Sequence, residues 1–194
     1  MSGSRAKPGT ALAIGLGANL PAASGGPLDT LVAVRPQLGQ LLENWAGGAC
    51  NLCWSPLFRT APVGGPPGQP DYLNAAVLVG LELQPSAAKA LELLAGLHRL
   101  EQAFGRERLE RWGPRTLDLD LLWWGELRSD RPELQLPHPR WQERGFVLAP
   151  LLAIEQSFGA ALPLPAGFAP VVDLLAASGD ASPQPLAHVS SVRW

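Results

Sequence analysis

The chain has 194 residues, 46% hydrophobic and 16% charged, which suits one globular domain with a sizeable core and excludes a disordered chain. A formal net charge of −2 gives no whole-molecule field that would gather nucleic acid or a membrane surface, so neither partner is expected. No apolar run reaches the length of a membrane span and nothing resembles a signal peptide, so a cytoplasmic location is expected.

In chain order, residues 1–10 read as a disordered tail with Gly3 and Pro8-Gly9. A short apolar run, 11–16, predicts a buried strand stopped by Gly15, Gly17 and Asn19. Pro27 opens a helical pattern with Leu31, Val34, Leu38 and Leu41 on one stripe, kinked at Pro36. Residues 52–60 read as a strand, 61–70 as a stiff Pro/Gly loop, and 74–83 as the next strand. Ser86 is placed to cap a helix whose stripe is Leu94, Leu97, Leu100 and Phe104, ended by Gly105. Residues 106–115 predict a mobile loop, and 117–124 a strand. A short helix is expected near 139–143, then a Pro/Gly-rich tail around the apolar segment 171–177.

The element order is β-α-β-β-α-β, an α+β, ferredoxin-like arrangement with an antiparallel sheet, helices on one face and extra elements at the C-terminus. The expected division is a tail at 1–10, one domain at 11–180 and a tail at 181–194. Cys50 and Cys53 have a C-x-x-C spacing, but no second Cys/His pair follows, and on a strand they face opposite sides. They read as small apolar strand residues.

Charge is unevenly spread. Arg99, Arg106, Arg108, Arg111 and Arg115 fall in one stretch of a chain with only two lysines, which suggests a local anion site. Just beyond lie Asp118 and Asp120, two apart on a predicted strand and so on one face. Paired carboxylates among leucines repel unless a cation or an arginine neutralises them, and Mg²⁺ with oxygen ligands would do so. The pattern also suits a strand end with two solvated acids. The arginine segment favours the metal: phosphoryl transfer needs charge neutralised from several sides with water kept out. Tyr72 and Asn74, again on one face, could stack on and hydrogen-bond a flat heterocycle, or simply pack. Phe146 has the same two readings. His138, between Pro137 and Pro139, is held stiffly enough to donate to a phosphate.

Arg111-Trp112-Gly113-Pro114-Arg115-Thr116-Leu117-Asp118-Leu119-Asp120-Leu121-Leu122 resembles the signature of the 6-hydroxymethyl-7,8-dihydropterin pyrophosphokinases. Gly17-Ala18-Asn19-Leu20, residues 69–76, Pro137-His138 and Arg144-Gly145-Phe146 also match, in family order. The resemblance covers residues 11–154 and implies the same βαββαβ fold. It implies an ATP-dependent diphosphokinase of folate biosynthesis, acting on ATP and 6-hydroxymethyl-7,8-dihydropterin as a monomer. Asp118 and Asp120 would hold two Mg²⁺ ions. Tyr72 and Phe146 would sandwich the pterin, with Asn74, Thr60, Pro62, Val63, Trp112 and Arg144 around it. Arg106, Arg115, His138 and Asp120 would be catalytic, and Arg106, Arg111, Arg115, His98, His138, Leu121 and Leu134 would face ATP.

Ala18, Ala61 and Glu133 depart from the family pattern, where serine, proline and a basic residue are expected. Two rival readings share the fold. A catalytically silent pterin- or nucleotide-binding protein would not need Asp118, Asp120, Arg106 and Arg115 together. An RNA-binding module of the same element order would need exposed aromatics and basic residues on its third strand, and Asn-Ala-Ala-Val-Leu-Val-Gly-Leu-Glu-Leu has neither.

Overall fold

The structure, a computed structural model, describes residues 10–106, 113–179, 183–185 and 194. The first strand, β1 (Leu12–Ala18), is buried along its whole length and continues through Gly15 and Gly17, which were expected to end it. It lies between β4 (Tyr72–Gly80) and β5 (Asp118–Trp124), antiparallel to both. β2 (Asn51–Trp54) and β3 (Phe58–Thr60) both pair with β4, so the expected single strand is split. The sheet order is β5-β1-β4-β3, extended by a two-residue strand β8 (Gln184–Pro185), with β2 also on β4.

The split has a local cause. Pro56 has no N–H to offer the ladder. Ser55 repairs the gap: its N donates to Ala76 O at 2.9 Å and its Oγ accepts from Ala76 N at 2.9 Å.

α1 (Pro27–Ala46) starts with Pro27 in the first turn, Gly26 N donating to Asp29 Oδ2 at 2.9 Å, and ends at Gly47 with φ 72°. It runs through Pro36 without ending there. α2 (Ala87–Ala103) is capped as expected, Lys89 N donating to Ser86 Oγ at 3.3 Å. The buried stripes are wider than expected: Leu42 in α1 and Leu93 in α2 are fully buried, while the expected Leu41 and Leu94 are partly buried against the same core. Both helices pack on one face of the sheet, where Trp45 meets Trp124 edge-on at 4.9 Å between ring centroids.

The other face is covered too. After a hairpin of β6 (Ser129–Arg131) and β7 (Leu134–Leu136) and a 3-10 turn at Trp141–Glu143, α3 (Gly145–Phe158) and α4 (Val171–Ala177) build a second core with Ala13, Ala76, Leu78 and Trp123. Helices thus lie on both faces, not on one: the C-terminal elements supply the third layer. α3 escaped the sequence reading because its residues are apolar nearly all round and Pro150 lies inside it, so no amphipathic stripe marks it. Cys50 and Cys53 are free and pack towards opposite cores. In the segment expected to be a C-terminal tail, β8 pairs with β3 and Trp194 docks: its Nε1 donates to Ser55 O at 2.6 Å, and Arg35 lies over both its ring and that of Trp54. Among the described residues no helix is long and apolar enough to cross a membrane.

Ser55→Ala leaves the buried Ala76 N–H without its acceptor and is expected to destabilise the fold by about 1–3 kcal/mol. Urea unfolding against wild type measures it; an unchanged midpoint would mean that Ser55 does not hold the split strand.

Candidate active site

The site lies on the face of the sheet shared with α3. Register fixes its width: Gly17 is paired with Asp118 on one side and Asn74 on the other, and Gly15 with Asp120 and Ala76. Two glycines therefore floor the space between the paired acids and Asn74. The space cannot be narrower, because a Cβ on Gly17 would stand 2.8 Å from Asn74 Oδ1. Gly15, Gly17, Asp118, Asp120, Asn74 and Tyr72 line one cavity together with Thr60, Pro62, Val63, Arg115, Arg140, Arg144 and Phe146.

One end of the cavity suits a flat ring. Asn74 is 5% exposed, and its Nδ2 donates to Thr60 Oγ1 at 2.7 Å. That leaves Oδ1 as the acceptor arm of the amide, facing the open space over Gly17. Tyr72 comes from the start of β4, and Phe146 from the first turn of α3. The Arg144 guanidinium sits 5.5 Å over the Phe146 ring, a cation–π contact. Burial raises the Tyr72 phenol above its ordinary pKa, so it stays a neutral hydroxyl. Val63 is 51% exposed at the rim.

The other end suits phosphate and hard cations. Asp118 is paired with Arg115 and, at 2.8 Å, with Arg106. Arg106 also pairs with Glu101, a helix residue 1% exposed whose Oε1 accepts from Leu119 N at 2.8 Å. Glu101 was not foreseen; its position one residue after Leu100, on the core side of α2, was the available signal. Asp120 has weaker compensation, with Arg144 Nη1 at 3.6 Å from its Oδ2. Desolvation in the cavity and the Asp118 charge push Asp120 up to about 7, against the pull of Arg144, Arg115 and Arg106. His138 is pushed down to about 4 by burial and by Arg144 and Arg140. Its Nδ1 accepts from Arg140 N at 3.2 Å, so the neutral ring carries its proton on Nε2 and is a donor there. Two carboxylates on one strand face suit Mg²⁺, which takes one or two of them and draws its other ligands from phosphate and water. Among the described residues there is no group of three or more His, Cys, Asp or Glu that would form an all-protein cage.

Of the residues singled out in the sequence, Thr60, Pro62, Val63, Tyr72, Asn74, Arg115, Asp118, Asp120, Arg144 and Phe146 share the cavity wall. Arg106 reaches it through Asp118. Leu121 and Leu134 are buried in the core on the α1–α2 face, 4% and 1% exposed, and His98 is exposed on α2. Arg111 and Trp112 lie outside the described residues.

A sequence profile of the 7,8-dihydro-6-hydroxymethylpterin-pyrophosphokinase family matches residues 13–156, and all of the cavity-lining residues fall within that span. The chain belongs to this family. It is 42% identical over 141 residues to the 2-amino-4-hydroxy-6-hydroxymethyldihydropteridine pyrophosphokinase of Synechocystis, which covers 73% of this chain and 64% of the relative. It is 38% identical over 141 residues to the Haemophilus influenzae protein of the same name, covering 73% and 79%. It is also 39% identical over 132 residues to the mitochondrial folate synthesis bifunctional protein of Arabidopsis thaliana, covering 64% of this chain but only 23% of that protein.

The two shifted groups act oppositely on stability. The Asp120 proton is held more tightly folded than unfolded, so its contribution is full below pH 3.8 and lost as pH rises to about 7. The neutral His138 contributes fully above pH 6.5 and loses its contribution as pH falls to about 4. In metal-free buffer, Asp120→Asn should gain in Tm over wild type most near pH 7, and His138→Asn most near pH 4. Thermal melting across that range checks both slopes; parallel profiles for the two variants would refute the assignment.

Proposed function

We propose that this chain transfers a pyrophosphoryl group from ATP to the hydroxymethyl oxygen of 6-hydroxymethyl-7,8-dihydropterin, as an ATP-dependent diphosphokinase of folate biosynthesis acting in the cytoplasm as a monomer. The observation that carries this reading is the single cavity in which an aromatic and amide wall faces two carboxylates and several arginines across a glycine floor. A ring bound at one end can present its substituent to a phosphate chain at the other.

In this reading Tyr72 and Phe146 enclose the pterin faces. Asn74 Oδ1 accepts from an N–H on its edge, while Thr60, Pro62 and Val63 close the side. The pterin displaces Arg144 from the Phe146 face, and Arg144 turns to the phosphates. Asp118 and Asp120 would hold two Mg²⁺ ions, which would supply charge neutralisation along the phosphate chain. Arg106 and Arg115, which neutralise Asp118 in the free protein, exchange that partner for phosphate oxygens. The exchange keeps every buried charge paired before and after binding. His138 donates Nε2–H to a phosphate oxygen as a neutral group. Arg111 and Trp112 lie outside the described residues, and Leu121 and Leu134, buried on the α1–α2 face, and His98, exposed on α2, are not on the cavity wall and take no part in this reading.

The hydroxymethyl oxygen attacks the β-phosphorus in line. The new O–P bond forms as the bond from the β-phosphorus to the α–β bridging oxygen breaks, AMP leaves with the electron pair, and the hydroxyl proton is released.

The expected products are AMP and the pterin diphosphate in equal amounts, formed only with Mg²⁺ present. Chromatography of the nucleotides decides it. ADP as the pterin-dependent product would sink the assignment, and binding without any AMP would favour a silent binding protein. The glycine floor gives a second test. Gly17→Ala drives a methyl against Asn74 Oδ1 and should weaken pterin binding by about 1–3 kcal/mol, because the ligand edge loses its acceptor. ATP affinity should hardly change. Calorimetry with each ligand alone checks this; an equal loss of ATP affinity would place Asn74 elsewhere in the mechanism.

A further inference from the structure

The Gly17-Ala18-Asn19-Leu20 turn is the matched segment whose asparagine the chemistry above leaves without a task. Asn19 is 2% exposed. Its Oδ1 accepts from Arg115 N at 2.7 Å, and its Nδ2 donates to Pro70 O at 3.1 Å. Asn19 N and Leu20 N also donate to Arg115 O, at 2.9 and 3.0 Å. Asn19 therefore helps to hold Arg115 at both its N–H and its C=O, while the other arm of its side chain grips the end of the 61–70 loop. An asparagine amide carries an acceptor and a donor on opposite arms of one planar group. Aspartate keeps only the acceptor, and leucine or alanine keeps neither.

A second link runs parallel to the first. The Tyr72 hydroxyl, which follows the loop directly, donates its one proton to Gly113 O at 3.2 Å or to Gln69 Oε1 at 3.3 Å. Gln69 in turn donates to Gly64 O and Pro66 O, both at 3.3 Å. Both links join the same two segments: the Pro/Gly loop at the heterocycle end, and residues 113–115, which carry the Arg115 guanidinium onto Asp118.

We propose that Asn19 is a positioning residue that couples the two halves of the cavity, so that each ligand binds more tightly when the other is present, with the Tyr72 hydroxyl as a parallel strut. The coupling rests on the pyrophosphoryl-transfer reading. A pterin that settles against the 61–70 loop fixes the Pro70 carbonyl, and the Asn19 amide passes that constraint to the Arg115 peptide. A phosphate that fixes Arg115 acts back along the same bonds, as linkage requires. Asn19 need touch neither ligand, and a residue that merely shaped the turn would change stability without changing this mutual effect.

The test uses the full chain with Mg²⁺, the pterin, and α,β-methylene-ATP, whose α–β bridge cannot be cleaved. Calorimetry gives the affinity of each ligand with and without the other. In wild type the mutual tightening is expected to fall in the range of about 5–150-fold found for coupled sites. Asn19→Asp, which keeps the acceptor for Arg115 N and removes the donor for Pro70 O, should bring that factor towards unity. Each ligand alone should still bind much as in wild type, and turnover with ATP should show each KM, taken with the other substrate saturating, raised by about the coupling factor that is lost. Thermal melting confirms that the variant is folded. If it does not melt cooperatively, Tyr72→Phe decides, since it keeps the ring and removes only the strut. A folded variant with wild-type coupling, or a wild type that turns over without coupling, overturns the brace alone. A wild type that forms no AMP from ATP and the pterin defeats the underlying reaction and the brace with it.

Discussion

Like charges on one face of a buried strand have to be neutralised, and the cavity is arranged around that requirement. Asp118 and Asp120 stand two residues apart on β5, with Leu119 and Leu121 turned to the core between and beyond them. The two acids are treated unequally. Asp118 has two arginines, and one of these is itself backed by the buried Glu101, which also fastens the Leu119 peptide between the acids. Asp120 has Arg144 as its ion-pair partner among the described residues, at the longer distance of 3.6 Å. Burial first, and then the neighbouring Asp118 charge, outweigh the pull of the arginines, which is why its proton is retained to about neutral pH.

Distance between the halves of the site is set by the sheet and not by the loops. Asn74 and Asp118 flank Gly17 on adjacent strands, and strand spacing puts such residues roughly 10 Å apart. Side chains on the intervening strand would fill the gap, which is the physical reason for two glycines in a strand whose other residues are large enough to pack.

Much of this could be read in the sequence. The alternation of Asp118 and Asp120 with leucines placed both acids on one face, and Ser86 with Gly105 bounded α2 in advance. What escaped has identifiable causes. Glycine at positions 15 and 17 carries the same symbol whether it ends a strand or makes room within one, and only the register against β4 and β5 tells these apart. Pro56 hid the break between β2 and β3 because its repair needs the Ser55 hydroxyl and a partner, Ala76, far along the chain. α3 is buried on most sides, so it lacks the polar stripe by which a helix is known. Glu101 drew no expectation, since its buried partners come from other segments.

The short strand β8 adds a property of a different kind. It pairs with β3 through Gln184 and Pro185, on the side of that strand away from β4. Exposed strand edges recruit other chains by offering a ladder of unused backbone donors and acceptors. Here the last strand at that end among the described residues is two residues long, and one of them has no N–H. Among the described residues, that end of the sheet offers little backbone for a further chain to pair with, which disfavours edge-to-edge growth there.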